Sequence, residues 1–481
     1  MANKIKDIQW PTICVSILLL FIMAGGCRII LDKPCWTLDD DTWIQSRIGM
    51  GHPMLMNEAP VYTEDEGRFF PMAYQHNNIL LLFQSGSISA RSVYCLNAVG
   101  WCLFLFLIYL IVRKTLQDKV SVMWANMVAS VVIIVLAQRC IRMFSVLWTT
   151  LFVDILLAAI ISISLYYWAR DRKIWALFAL ILSVGYYAFS IEVNVATPLI
   201  IGVCALLPIQ RKRVDVQLGL SMLGIVALYV VLYMTLIFPH IQTAYDSTHG
   251  TGVSLLANAI TMLSGQKLLI LILCVFIWRL YKVFLCKDDF DIFSDTLLSV
   301  SVGGIIAAFI MKLNWPEYYL PTIVFAIPSL VSLLDFRTKR NIVVSSMVLL
   351  IMLLYFGVKI PKVVKDLSTK REYYSRAINF FDSNCKETPT IAWYQNPNSE
   401  NVITDKWTYG HLCQHLSQVY MQEDFQPIPY EDVKEDEYIL MTPDGVTREM
   451  IIENGIVQPE WIQWDEYIMS IHMIKIERRN E

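Results

Sequence analysis

Residues 13–26 read ICVSILLLFIMAGG, an apolar run without a charged residue, and residues 37–47 soon after it read TLDDDTWIQSR. Two further apolar runs of similar length lie at 99–112 and 341–356. Because a helix needs about 20 apolar residues to cross the hydrocarbon core of a bilayer, runs of this kind predict membrane spans. The first span is then followed by a dense group of carboxylates, which is more than a helix cap requires.

The composition of the chain also indicates a membrane protein. Of its 481 residues, 56% are hydrophobic and only 17% are charged, and the mean hydropathy is +0.49. Soluble domains carry about 25% charged residues, so the apolar excess is expected to face lipid. The net charge of −3 gives no argument for binding nucleic acid.

Eleven helical spans are predicted, and the cations of the connecting loops collect on one side of them. The predicted spans are 12–31, 93–112, 120–137, 144–168, 174–189, 195–209, 216–238, 267–285, 294–311, 318–335 and 341–360. The cations of that side are Lys4, Lys6, Arg113, Lys114, Lys119, Arg170, Arg172, Lys173, Arg211, Lys212, Arg213, Lys282, Lys287, Arg337, Lys339 and Arg340. By the positive-inside rule this side is the cytoplasm. We therefore expect a multi-pass protein of the plasma (inner) membrane with a cytoplasmic N-terminus and an uncleaved first helix.

The larger polar segments fall on the opposite, extracytoplasmic side. They are loop 32–92, a loop from 239 to about 266, and the tail 361–481. In the tail, a predicted helix over 362–383 precedes short apolar or alternating runs that predict strands between turn-rich stretches. These runs are 391–395, 438–442 and 467–476. The expectation is a transmembrane domain over 1–360 and a small extracytoplasmic α/β domain over 361–481.

The carboxylates Asp39, Asp40 and Asp41 are open to three interpretations. Loop 32–70 carries eight acidic and three basic residues, so one aspartate could cap a helix over 42–50 while the rest are solvated. Alternatively, one carboxylate acts as a general base that takes the proton of an acceptor hydroxyl or amine. Adjacent carboxylates also supply the hard oxygen ligands of a divalent cation.

The acidic cluster, together with the string GRFFPMAYQHNN at 67–78, resembles the start of bacterial GT-C superfamily membrane glycosyltransferases. In that superfamily one transmembrane helix precedes a long extracytoplasmic loop with an acidic motif, and a helix bundle follows. The resemblance implies an α-helical polytopic membrane protein, with a GT-C-like bundle of about 11 transmembrane helices and a small α/β extracytoplasmic C-terminal domain. It also implies a catalytic aspartate, for which we rank Asp40 before Asp41 and Asp39.

A GT-C enzyme implies a sugar donor carried on polyprenyl phosphate, and arginine matches phosphate oxygens well. Arg139 and Arg142, in LAQRCIRMF, are predicted at the extracytoplasmic end of a span, and Arg68 lies within 67–78. The alternative for Arg139 and Arg142 is that both side chains snorkel to lipid headgroups. Weaker candidates of the same kind are Arg91, Lys267 and Lys312.

Two more segments at outer helix ends are candidates for a sugar site. SIEVN at 190–194 places Glu192 and Asn194 near membrane depth, where ionisable groups are costly and often functional. LNWPEYYLP at 313–321 resembles a segment that borders the donor site in some GT-C enzymes. It supplies Trp315, Glu317, Tyr318 and Tyr319. An interfacial aromatic belt and a carboxylate at a helix N-terminus explain the second segment without any ligand.

The sequence therefore predicts a glycosyltransferase of cell-envelope polysaccharide biosynthesis, transferring a hexosyl or pentosyl group from a polyprenyl-phosphate-linked donor. Its acceptor would be an extracytoplasmic glycan, lipid or protein. A polysaccharide polymerase or ligase, a transporter or flippase of lipid-linked sugars, and a non-catalytic scaffold remain alternatives. Asp154, within a predicted span, has no role in the transferase and fits a transporter. The histidines of HLCQH at 411–415 lack the glutamate of an HExxH zinc site, so no metal or other cofactor is assigned there.

Overall fold

The structure of the chain, a computed structural model, describes most of its residues. These are 2–34, 36, 44–45, 47–56, 62–63, 68–117, 119–145, 151–207, 215–241, 255–311, 313, 316–384, 390–394, 428–442, 446–468 and 471–478.

The described part of the chain is mostly helical. The α-helices are α1 Ala2–Ile30, α2 Ala90–Leu116, α3 Val122–Phe144, α4 Leu151–Asp171, α5 Ile174–Ala188, α6 Ala196–Leu206, α7 Val216–Leu236, α8 Leu255–Gly265, α9 Lys267–Leu280, α10 Ser294–Ile310, α11 Leu320–Val331, α12 Lys339–Gly357, α13 Ile360–Asn384 and α14 Arg448–Glu453. Short 3₁₀ turns lie at Ile48–Met50, Gln75–Leu82, Glu192–Val195, Phe238–His240, Pro316–Tyr319, Tyr430–Asp432 and Pro459–Trp461, and a π turn at Tyr281–Leu285 continues α9.

Within the described ranges, seven helical stretches have the length and apolar composition to cross a membrane. They are Trp10–Ile30, Ala90–Leu116, Val122–Phe144, Phe152–Asp171, Val216–His240, Lys267–Leu285 and Lys339–Thr369. The shorter apolar helices are Ile174–Ala188, Glu192–Leu206, Ser294–Ile310 and Leu320–Val331. The prediction of a mostly helical chain with several candidate membrane spans is thus confirmed, and a helix lies over every predicted span. The number of eleven crossings stays a prediction, because these four helices have 10–17 residues.

The apolar helices approach one another closely at small residues. Helix α10 packs against α6 and α11, and α1 packs against α3. At Gly304 of α10, an added Cβ would lie 2.7 Å from Thr322 Cγ2 of α11. At Gly26 of α1, an added Cβ would overlap the indole of Trp101 in α2. Because helices in lipid gain little from burying apolar area, such backbone-close contacts contribute much of their association.

The described residues of the tail form a five-stranded sheet. Its strands are β3 Ile391–Trp393, β4 Ile428–Pro429, β5 Glu437–Thr442, β6 Ile462–Ile468 and β7 Ile471–Glu477, in the spatial order β4-β3-β5-β7-β6. Strand β3 is parallel to β4 and β5, whereas β7 is antiparallel to β5 and β6. The buried side chains of one cluster on this sheet include Tyr438, Leu440, Ile451, Ile474 and Ile476.

The run 467–476 differs from its prediction as a single strand, since it is shared between the end of β6 and most of β7. Both strands alternate with period two, so hydrophobicity alone does not reveal the chain reversal between them. The helix predicted over 362–383 is present as α13, and the runs at 391–395 and 438–442 correspond to β3 and β5.

The chain divides into two compact units. One comprises Met1–Leu31, Met54–Ile79 and Tyr94–Val364, and the other comprises Asp32–Pro53, Leu80–Val93 and Lys365–Glu481. Inside the second unit, Arg371 Nη1 of α13 donates to the carbonyl of Asp32 at 2.7 Å, and Lys33 Nζ lies 3.5 Å from Glu372 Oε2. These contacts tie the start of the first loop to the tail helix. The expected division into 1–360 and 361–481 stays a prediction.

Candidate functional site

The segment that follows Gly67 is anchored on the ends of two apolar helices, α5 and α7. Strand β2, Arg68–Phe69, pairs with β1, Tyr62–Thr63, in an antiparallel ribbon. The ring of Phe69 packs against Phe189, which follows α5, and against Tyr229 and Tyr233 of α7, with centroids 6.0, 5.6 and 6.4 Å away. The Tyr229 hydroxyl donates to the Phe69 carbonyl at 3.3 Å. This aromatic cluster holds the backbone of residue 68 at the helix ends that are predicted to be extracytoplasmic.

Arg68 and Glu192, both predicted to bind substrate, are brought together there. Arg68 Nε lies 3.6 Å from Glu192 Oε1, and the Phe69 backbone N–H donates to the same oxygen at 3.3 Å. The two side chains are 23% and 16% exposed, so the pair is partly shielded from solvent. The guanidinium carbon of Arg68 also lies 4.5 Å from the centroid of the Phe70 ring. One face of the cation is therefore fixed, while part of its surface stays accessible to a ligand.

Asp154 accepts hydrogen bonds that hold the segment carrying Glu192 in place. Ser190 Oγ donates to Asp154 Oδ1 at 2.6 Å, and Asn194 Nδ2 donates to Asp154 Oδ2 at 3.3 Å. Asn194 Nδ2 also lies 3.1 Å from Ser190 Oγ. Asp154 is only 3% exposed and Asn194 is 7% exposed. Asn194 thus contacts a buried carboxylate of α4, and the network fixes both sides of the 3₁₀ turn Glu192–Val195.

His76 and Asn77 lie further along the same anchored segment. The His76 backbone N–H donates to the Tyr186 hydroxyl at 3.0 Å, and its ring packs edge-on against Phe152 with centroids 5.1 Å apart. Burial lowers the pKa of His76 from its ordinary value of 6.5 to about 3, so the ring is neutral near pH 7. Among the described residues, neither His76 Nδ1 nor the amide of fully buried Asn77 has a hydrogen-bond partner.

Arg139 belongs to a second, basic cluster. Its Nη1 donates to Gln266 Oε1 at 3.1 Å, and its guanidinium carbon lies 5.2 Å from the centroid of Phe356. Its Nε is buried and has no hydrogen-bond partner in the described ranges. Lys359 Nζ lies 3.8 Å from the ring centroid of Tyr355, whose hydroxyl also interacts electrostatically with Arg139 and with Lys267. Lys359, just after α12, therefore contacts Tyr355 directly, and Arg139 and Lys267 act on the same tyrosine electrostatically.

The remaining residues that the sequence predicts for the site differ in their exposure to solvent, and some lie outside the described residues. Arg142 is exposed, one helical turn from Arg139. Tyr319 is fully buried, and its hydroxyl donates to the Leu313 carbonyl, whereas Tyr318 is partly exposed. The backbone of Glu317 lies in the 3₁₀ turn Pro316–Tyr319, and its side chain is not among the described ones. Asp39, Asp40, Asp41 and Trp315 lie outside the described residues, as do Lys312 and the HLCQH histidines.

Several residues of the site were not identified in the sequence. Tyr229 and Tyr233 recur at i and i+4 in an otherwise apolar helix, which is a signal that was available. Ser190 and Phe189 carry no such signal, because their roles depend on which helix ends meet. Within the described ranges, no group of three or more His, Cys, Asp or Glu side chains is arranged to hold a metal ion.

Comparison with known proteins gives one kind of match. No protein-family model and no curated protein matches the sequence. Two crystal structures of the Archaeoglobus fulgidus oligosaccharyltransferase are similar to the chain, one tethered through a disulfide to an acceptor peptide containing the NVT sequon and one in the apo form. Each is 12% identical with a TM-score of 0.44, and the match covers 83% of this chain and 63% or 64% of the other. The chain thus spans less than two thirds of the length of either structure, and the likeness assigns it no activity.

Proposed function

We propose that the chain is a GT-C-type glycosyltransferase of the plasma membrane, which moves a hexosyl or pentosyl group from a polyprenyl-phosphate-linked donor to an extracytoplasmic acceptor. The acceptor is a glycan, a lipid or a protein of the cell envelope. The observation that carries the proposal is the pairing of Arg68 with Glu192 at the ends of apolar helices. Two segments selected independently in the sequence, 67–78 and 190–194, meet in one partly accessible site.

The arginines suit the phosphate of a lipid-linked donor. A phosphate group at the membrane surface lies level with helix ends, and guanidinium groups form short charge-assisted hydrogen bonds with its oxygens. Arg139 has a buried Nε that no described residue hydrogen-bonds, and both Arg139 and Lys267 act electrostatically on the hydroxyl of Tyr355, whose ring contacts Lys359. As the bond between the sugar C1 and the phosphate oxygen breaks, negative charge develops on the departing phosphate, and a cation fixed in place stabilises it.

An aspartate of the cluster 39–41 is proposed as the general base. The acceptor hydroxyl or amine attacks C1, its proton passes to the carboxylate, and the lipid phosphate leaves with the electrons of the C1–O bond. We keep the order Asp40, Asp41, Asp39. A divalent cation held by the same carboxylates would assist the departing phosphate instead, and removal of metal distinguishes the two roles.

In this proposal Asp154 is a positioning residue. Its carboxylate accepts hydrogen bonds from Ser190 and Asn194, which flank Glu192. The network therefore orients Glu192 toward Arg68 rather than contacting the donor. Glu192 would then bind the sugar hydroxyls through the part of its side chain that faces solvent, whereas buried Asn194 would help to position the turn.

The transporter alternative has one supporting observation, since Asp154 is a buried carboxylate in an apolar helix. A flippase would move a labelled lipid-linked sugar across vesicles without any acceptor, and Asp154→Asn would abolish that movement. The transferase requires an acceptor and releases free polyprenyl phosphate. Measuring both products in the same vesicles separates the two functions.

The test of the transferase uses the full chain in lipid nanodiscs, radiolabelled polyprenyl-phosphate sugars and a cell-envelope fraction as acceptor. We expect Asp40→Asn to lower transfer by at least about 10²-fold, the usual effect of losing a general base. Arg139→Gln should lower it by about 10²-fold through loss of charge stabilisation. Lys434→Gln, an exposed cation of the tail, is the matched control and should transfer normally.

A parallel reaction with EDTA tests the metal role. Wild-type rates from Asp39→Asn, Asp40→Asn and Asp41→Asn alike would show that the base lies elsewhere. No transfer from any donor by folded wild-type protein would contradict the proposed function itself.

A further inference from the structure

A cavity of about 780 Å³ lies at the opposite ends of the helices, where α2 turns into α3. The residues that line it include the cations Arg113, Lys114 and Lys119 and the aromatic side chains of Tyr109, Trp124 and Phe336. The loop charges predict that this side is cytoplasmic. The function proposed above makes no use of this cavity.

Each cation of the cavity is held by uncharged groups. Arg113 Nη1 donates to Asn126 Oδ1 at 2.6 Å, Lys114 Nζ to Gln117 Oε1 at 3.3 Å, and Lys119 Nζ to Ser332 Oγ at 3.3 Å. In the described ranges, none of the three forms an ion pair. Among the described residues, no carboxylate lies within ion-pairing distance of these three cations, so the described lining of the cavity is positively charged.

Other cations on the same side provide an internal comparison. Arg170 pairs with Asp291 at 3.4 Å, Arg172 pairs with Asp215, and Arg279 Nη2 lies 2.7 Å from Asp295 Oδ2. In the part of the chain that the structure describes, aspartates pair with these cations around the cavity but not with Arg113, Lys114 or Lys119. A general excess of positive charge on this face does not account for that difference.

The environment of Lys119 is buried and mainly positive. Burial is the main reason that the pKa of Lys119 is lowered, and the charges of Arg170, Arg279 and Arg337 act in the same direction, against that of Asp291. An anion placed beside Lys119 would relieve both effects.

The walls of the cavity favour a lipid over a free ion. Trp124 and Phe336 stack with centroids 4.5 Å apart, and rings of this kind suit the boundary between headgroups and acyl chains. Next to Trp124 on α3, Met123 and Met127 are 46% and 44% exposed and continue the apolar surface along the helix. A headgroup in the cavity would leave its acyl chains on this surface.

We propose that this cavity binds the phosphate headgroup of an acidic glycerophospholipid, with Arg113 oriented by Asn126, and Lys114 and Lys119 beside it. Basic pockets between helices on the cytoplasmic side are suited to such headgroups, and each cation contributes about 1 kcal/mol of attraction. The bound lipid would fix the turn between α2 and α3 in place.

The experiment measures lipid retention by the full purified chain in native mass spectrometry. Wild type is mixed with equal amounts of phosphatidylglycerol and phosphatidylcholine, and we expect it to retain phosphatidylglycerol preferentially. Lys119→Gln, which disturbs only the bond to Ser332, should lower that preference about fivefold, and Arg113→Gln combined with Lys119→Gln about thirtyfold. Arg340→Gln, an exposed cation outside the cavity, should retain the wild-type preference.

Equal retention of the two lipids by wild type would overturn the proposal. So would full preference in Lys119→Gln, whose unfolding temperature checks that it folds. In a third reaction, inorganic phosphate is added at the same concentration as the lipid. Displacement of phosphatidylglycerol by this phosphate would show that the cavity binds a free ion instead.

Discussion

The ion pair between Arg68 and Glu192 is the contact whose loss has the clearest expected effect at the residue scale. Both side chains are mostly shielded from solvent, so Glu192→Gln removes the negative charge that offsets the partly buried guanidinium of Arg68. The glutamine still has a side-chain oxygen that can accept the hydrogen bond from the Phe69 N–H. We expect a loss of about 1–2 kcal/mol of stability, less than for a fully buried pair, seen as a lower unfolding temperature in detergent. Lys173→Gln removes an exposed pair with Asp171 and should change the unfolding temperature little. Equal effects of the two substitutions would show that the Arg68 pair is not shielded in the membrane.

His76 makes a prediction about pH. Its pKa is about 3 in the folded chain and near 6.5 when unfolded, so below pH 6.5 the unfolded chain binds a proton that the folded chain excludes. Stability should therefore be complete above about pH 6.5 and fall as the pH decreases toward 3, by up to about 1.4 kcal/mol per pH unit. Unfolding temperature measured against pH tests this, and His76→Gln should flatten the curve.

An exposed histidine provides the control for that measurement. His52→Gln should leave the decline unchanged. A decline of wild-type steepness in His76→Gln would assign the proton uptake to another group.

The residues of the candidate site could be predicted singly but not as a set. Glu192 and Asn194 stand out because charged and amide side chains near membrane depth are costly, and Arg68 stands out because it lies within the string 67–78. That Arg68 meets Glu192, and that Asn194 instead contacts Asp154, depends on which helix ends lie side by side. No periodicity along the chain encodes that arrangement.

At the scale of elements, the neighbouring glycines of α1 give a matched pair of substitutions. Gly26→Ala places a methyl group into the buried Trp101 indole, and we expect a loss of about 1–3 kcal/mol because a rigid ring cannot yield. Gly25→Ala meets no atom within 4 Å and should be neutral or stabilise the helix by up to about 1 kcal/mol. Unfolding temperatures of the two variants decide the matter. Similar values would mean that α1 and α2 do not approach closely.

The elements themselves were largely predictable where apolar periodicity is long. Helices α2, α3 and α7 lie over long apolar runs, and α2 and α3 continue into the charged residues at the ends of those runs. The short strands β3 and β4 pair over two or three residues, and such pairing arises from tertiary contacts rather than from local sequence. Strand β4 was accordingly missed.

At the scale of the whole molecule, the distribution of loop cations predicts the topology. A fluorescent protein that matures only in the cytoplasm, inserted between α6 and α7 within residues 208–214, should fluoresce. Alkaline phosphatase fused after residue 481 should be active, because this enzyme folds only after export and the tail is predicted to be exported. Fusions to a variant with Arg211, Lys212 and Arg213 replaced by glutamine test the cause. Inactive phosphatase on the wild-type chain would place the tail in the cytoplasm. It would contradict the proposal that the acceptor is bound on the extracytoplasmic side.

The spatial order of the tail sheet has a consequence for synthesis. Strand β7, the last in sequence of the five strands, lies between β5 and β6 rather than at an edge of the sheet. While the ribosome still holds residues 471–477, β5 and β6 have no common neighbour, so the sheet closes only after translation has passed them. A premature stop codon just before residue 471 would therefore delete the strand that joins the two halves of the sheet, and we expect the truncated tail to be degraded faster than the full-length one.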